Sequence, residues 1–261
     1  MSENNADERI PSIEESCKAI RELIALWGEQ NSRDTVEIPI MDRNPLVGIT
    51  IHVMAQHSVA LSESVLVLTS ANMFLESAPL IRLTMECAVT AAWLSVTPNA
   101  ANAARHEDAR NRLTTINSLF EDLGRVDEDL LEDATKAVAE LAEHKSDAAR
   151  YFEKRCKKLA GGEKIYTMYR IMSGFSHAGI GLTELYLAEV DKSRTNQYGI
   201  SLLNKSNYPA EASLVHQVVM LALSMKAWDD IFPMHPCRGA LEKIAKDFGF
   251  GLDINLAKVR I

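Results

Sequence analysis

Between Tyr166 and His177 the chain places Tyr166, Tyr169, Arg170, Ser173 and His177 so that, on a helix, all five share an arc of about 100°. Ile165, Met168, Ile171, Met172 and Phe175 fill the other side, so the stretch within Glu163–Ala178 predicts an amphipathic helix. A solvated helix face is ordinarily Lys and Glu. This one offers two phenols, a guanidinium, a hydroxyl and an imidazole. Arg170 and His177 fall within about 20° of each other on a regular helix. A guanidinium beside an imidazole could hold a phosphate while the imidazole, the natural proton carrier near neutral pH, moves a proton. The same residues could instead form a buried polar network that specifies packing, and both readings stay open.

A second pair stands on the helix predicted from about Pro79 to Val96. Apolar residues surround that segment, as expected of a helix in the centre of a bundle, yet it carries Arg82 and Glu86 one turn apart. Burying an ion costs several kcal/mol unless it is paired, and Arg before Glu is the weaker order for helix stability. The two are therefore a structural pair that fixes register or the lining of a polar pocket. On the helix at about 46–70, His52, Gln56, Val59 and Glu63 trace a thin stripe that reads as a partly wet seam rather than a ligand site.

Other chemistries find less support. No Glu is followed three residues later by His, and there is no HExxH, so neither a di-iron bundle site nor a zincin site is expected, and no metal or other cofactor is predicted. There is no GxSxG elbow for a serine hydrolase. Gly161-Gly162 lacks both the pattern and the preceding strand of a phosphate loop.

The elements that must hold these residues are helical. The 261 residues are 47% hydrophobic and 25% charged, which excludes global disorder, and only 6% are aromatic, which disfavours sheets. The formal charge of −8 argues against a broad nucleic-acid-binding surface, DNA included, while leaving room for a local basic patch. Cys17, Cys87, Cys156 and Cys237 are scattered without a CxxC pair, as expected of reduced thiols in cytoplasm. Met1–Pro11 is polar and acidic, unlike a signal peptide. His52, Gln56, His57, Glu63, Arg82 and Glu86 interrupt the most apolar segments, so no membrane span is expected.

In order, residues 1–11 read as a mobile tail and Ser12 with Glu15 as a capping box opening a helix to about Gly28. A loop at 31–45 leads to Pro45. A helix from Asn99 to Gly124 and a long amphipathic one over Asp127–Leu159, or two joined near Ser146, form a charged arm at about 99–160. The basic end of that arm, Lys154, Arg155, Lys157 and Lys158, reads first as stabilisation of a helix terminus and second as a phosphate contact. A short helix is predicted at 182–190, a strand at Tyr198–Leu203, helices at 209–232 and 237–248, and an extended tail from 249 to 261. The expectation is an all-α multi-helix bundle, a single domain over 12–248.

Arg170-Ile-Met-Ser-Gly-Phe-Ser-His177 resembles the Arg-x4–6-His motif of HEPN-type helical domains, departing from active members at Ile171. The pairing of Arg82-x3-Glu86 and Trp93 with Tyr169-x3-Ser173-x3-His177 also resembles uncharacterised bacterial helical proteins grouped with HEPN-like folds, over roughly residues 46–232. The resemblance implies a HEPN-like fold, a homodimer, and metal-independent phosphodiester chemistry on RNA or a nucleotide. In it His177 would be acid or base, Arg170 would bind phosphate, Glu86 with Arg82 would orient His177 or Tyr169, and Tyr169 and Ser173 would donate hydrogen bonds. The alternative is a non-catalytic interaction or small-ligand-binding protein.

Overall fold

Helix α1 (Ile13–Gln30) starts where the sequence requires it. The Ser12 hydroxyl accepts from the Glu15 amide at 3.2 Å and the Glu15 carboxylate accepts the Ser12 amide at 2.7 Å, the reciprocal capping box. This computed structural model describes residues 9–32, 45–124, 128–189 and 200–257, with Thr35 and Ile38; the first eight tail residues and most of the predicted loop at 31–45 lie outside the described residues.

The centre is built from α2 (Pro45–Ser70), α3 (Ala78–Val96) and α10 (Ala210–Asp229), packed on one another. Ile81, Met85, Ala88 and Trp93 of α3 and Leu214, Leu221, Met225 and Trp228 of α10 are fully buried, which explains why these segments are apolar on nearly every side. α2 is long and apolar enough by composition to cross a membrane; Ile51, Ala55, Val59 and Val65 are buried against this core, while Ile49, Val53 and Val67 on the same helix stay exposed. α1 packs on α10, where Trp27 meets Trp228 at 4.9 Å between ring centroids. The predicted seam on α2 is present: His52 Nδ1 accepts the Trp228 indole N–H and Gln56 the Trp27 indole N–H, each at 3.0 Å.

The arm begins with α4 (Ala100–Leu123), closed by Gly124 at φ +67, and α5 (Glu128–Glu140), none of whose residues is buried. The single long helix over Asp127–Leu159 does not form. A 3₁₀ turn (Ala142–His144), α6 (Asp147–Arg150) and α7 (Phe152–Cys156) follow instead. Ser146 and Tyr151 take extended backbone, and the Arg155 guanidinium donates to the carbonyls of Ala148 at 3.0 Å and Ala149 at 2.6 Å, filling acceptors that a continuing helix would have used.

The double glycine then reverses the chain into α8 (Gly162–Ser176). Gly161 sits at φ +74, and a Cβ on Gly162 would lie 1.9 Å from the Cys156 carbonyl oxygen. α8 packs on α3. Beyond it, α9 (Ile180–Glu184) is shorter than the helix predicted at 182–190, because Leu187–Glu189 forms β1 and pairs antiparallel with β2 (Ile200–Leu202), Leu187 opposite Leu202. The β pairing uses the strand predicted near 198–203. After α11 (Arg238–Asp247) the tail runs beside residues 158–160: the Ala257 amide donates to Lys158 and the Ala160 amide to Asn255.

Candidate functional site

Along α3, Arg82, Glu86 and Thr90 recur every four residues, a polar stripe on an otherwise apolar helix. α8 lays Tyr169 against it. The Tyr169 hydroxyl accepts from Arg82 Nη2 at 2.5 Å and donates to Glu86 Oε1 at 2.9 Å, while Arg82 Nη2 lies 3.1 Å from the same carboxylate oxygen. The Arg82 side chain is 24% exposed and that of Glu86 36%, so the pair lies at the rim of the α3–α8 seam rather than in the core. That placement removes most of the desolvation cost that a central position would impose. Burial raises the Tyr169 phenol above its ordinary range, partly offset by Arg82. The Phe152 ring packs on Tyr169 at 4.2 Å between centroids, and Tyr166 lies parallel to it at 6.3 Å.

Arg82 also reaches the far end of α8. Its Nη1 is 3.4 Å from His177 Nε2, a contact that uses the Nε2 lone pair and puts the ring proton on Nδ1, which has no partner among the described residues. The predicted helix through His177 stops one residue short: Ser176 ends α8, and His177 is its exposed, extended cap residue, with φ −110 and ψ 142. The structure thus brings together Arg82, Glu86, Tyr169 and His177.

The other expected residues stand apart from this cluster. Arg170 is exposed and forms no hydrogen bond or ion pair with any described residue. The Ser173 hydroxyl donates to the Tyr169 carbonyl at 2.8 Å, within its own helix. Trp93 is buried, with the Arg155 guanidinium 5.3 Å over its ring.

Arg155 is the residue that sequence reasoning missed. It reads as one cation in a surface run, yet its Nη1 donates to Thr90 Oγ1 at 2.6 Å, and Thr90 in turn donates to the Glu86 carbonyl at 2.6 Å. Burial pulls its pKa below the usual guanidinium range. The visible signal was Thr90, the third member of the α3 stripe.

A separate cluster closes the turn after α10. Asp229, Asp230 and His235 bring donor atoms within 4.8 Å of one another, a spacing a divalent cation could use. Arg238 lies 3.5 Å from Asp229 and 2.7 Å from Asp230, and Lys226 is paired with Asp230, so both carboxylates are already neutralised and a metal would have to displace these cations.

Comparison with curated proteins and with solved structures returns no match. A family match covers residues 49–194, from the first turns of α2 past α8, and includes Arg82, Glu86, Tyr169, Arg170 and His177. Since that span is more than half of the chain, the protein belongs to DUF5677, a family of unknown function.

Proposed function

We propose that this protein is a HEPN-like helical protein acting on a phosphodiester of RNA or a nucleotide without a metal, as a homodimer. His177 would be the proton-transferring group and Arg170 the phosphate-binding one. The observation that carries the reading is the position of His177. It is exposed, one ring nitrogen meets Arg82 at 3.4 Å, and the other is left for a substrate. Arg170, exposed on α8, whose helix ends one residue before His177, has its guanidinium unengaged among the described residues and is available to a phosphate. In this scheme the Nδ1–H of His177 gives a proton to the leaving oxygen, the ring acting as base only through Nε2 once it parts from Arg82, and Arg170 stabilises the charge gathering on the phosphoryl oxygens. Arg82, Glu86 and Tyr169 act as positioning residues.

A second reading rests on a specific observation: Arg82, Glu86 and Tyr169 satisfy one another across two helices, as a packing device in a non-catalytic binding protein would. RNA cleavage in EDTA by wild type, His177→Ala and Arg170→Ala, with thermal melts of all three, separates the two. The catalytic reading expects wild-type cleavage and a loss of about 10²–10⁴-fold in His177→Ala with unchanged melting. Absence of cleavage by wild type, with lowered melting of His177→Ala, leaves the network as architecture.

A further inference from the structure

Six cations fall between positions 145 and 158 of a chain whose net charge is −8: Lys145, Arg150, Lys154, Arg155, Lys157 and Lys158. The simplest account, a basic run stabilising the end of a long helix, fails on the structure. α7 is only five residues long, and the macrodipole of so short a helix has little charge to offer. Ion pairing is also insufficient. Lys157 is paired with Glu153, and Arg155 is turned inward to Thr90, Ala148 and Ala149. Lys145, Lys154 and Lys158 are exposed and form no ion pair with any described residue. These three lysines, with Lys157 and Ser146, line a cleft of about 620 Å³ whose one acidic wall residue is Asp147. Cations gathered around a concavity repel one another until an anion enters.

We propose that Lys145, Lys154 and Lys158 form a docking site for the phosphate backbone of single-stranded RNA, upstream of His177. This rests on the reading of His177 as the site of phosphodiester chemistry. Lysine ammonium groups are point charges with rotatable donors, suited to a mobile backbone rather than to one planar anion. Arg155 fixes the lysine-bearing segment to α3 through Thr90, so the cleft has a rigid floor. α7 abuts α8, and α8 then carries the half-exposed Tyr166, the exposed Arg170 and, at its end, His177. The fifteen residues of α8 rise about 22 Å, the span of a few nucleotides, and carry an aromatic ring against which a base can stack.

The test is fluorescence anisotropy with a labelled 2′-O-methyl oligoribonucleotide, which binds without being cleaved, across a salt series. The proteins are full-length wild type, the Lys145→Gln/Lys154→Gln/Lys158→Gln triple variant and the matching Lys→Arg triple. The expected result is roughly tenfold weaker binding by the Gln variant, with its salt slope reduced by about 2, since each lost phosphate contact removes about 0.7. The Arg variant should bind as wild type does, and all three should melt alike. Affinity and salt slope of the Gln variant within error of wild type would overturn the proposal, as would absence of binding by wild type. Wild type that binds through these lysines but cleaves no RNA would sustain the docking site while overturning the catalytic reading of His177. Cleavage with lysine-independent binding would do the reverse.

Discussion

The Tyr169 hydroxyl on α8 bonds to two partners on α3, Arg82 and Glu86. Its removal should be felt by both. Tyr169→Phe keeps the ring stacked on Phe152 and deletes only the hydroxyl, so the expected loss is about 1 kcal/mol, the lower range for a partly exposed network. A double-mutant cycle of Tyr169→Phe with Arg82→Gln, followed by urea unfolding, should give a coupling of about 0.5–3 kcal/mol. A coupling indistinguishable from zero would mean that the hydroxyl and the guanidinium act independently. The residues of this cluster were legible in the sequence because each is out of place: a Tyr on a face that should be Lys or Glu, an ion pair on an apolar helix. Arg155 was not legible. A part-buried arginine next to surface lysines has no mark in its own segment: two of its acceptors, the Ala148 and Ala149 carbonyls, are backbone atoms that any sequence supplies, and the third, Thr90, lies 65 residues away.

Among the elements, those with a local physical cause were readable. Ser12 and Glu15 announce α1, Gly124 ends α4, and the all-round apolar pattern places α3 at the centre. Of the two readings of the arm over Asp127–Leu159, the break near Ser146 is the one found, but the second interruption at Tyr151 left no mark, because the apolar steps continue through it while the Arg155 guanidinium binds the Ala148 and Ala149 carbonyls. The strand at Leu187–Glu189 needs a partner distant in sequence and so leaves no periodic trace in so few residues. The turn into α8 depends on both of its glycines for different reasons. Gly162→Ala would drive a methyl group into the Cys156 carbonyl and should cost about 1–3 kcal/mol. Gly161→Ala, in open space but at φ +74, should cost about 1 kcal/mol through backbone strain alone. Thermal melts that rank the two in the opposite order would show that the segment relaxes away from the carbonyl.

For the molecule as a whole, acid should loosen the core from the α2–α10 seam. Burial pulls the pKa of His52 below the ordinary histidine range, and it does the same to His216. The folded state therefore prefers both rings neutral. Their contribution to stability is present above the unfolded value near 6.5 and is lost as pH falls from there through the lower folded values. Protonated His52 can no longer accept the Trp228 indole N–H at Nδ1. Melting temperature should fall between pH 7.5 and 5.5, and His52→Gln should flatten part of that slope, His216 supplying the remainder. An identical slope in the variant would place the acid sensitivity elsewhere.

The arm carries a different consequence. The thirteen residues of α5 contribute no buried side chain, and Leu130, Leu119 and Phe120 remain about half exposed. The first turns of α4 belong to the core through Ala100, Ala101 and Ala103, but little of the cooperative free energy that holds α2, α3 and α10 together is shared with the outer hairpin of α5 and the far half of α4. Its amides are expected to exchange with solvent through local opening while the central helices exchange only through global unfolding. The chain would thus behave as two foldons, the outer one opening under conditions where the inner one is intact.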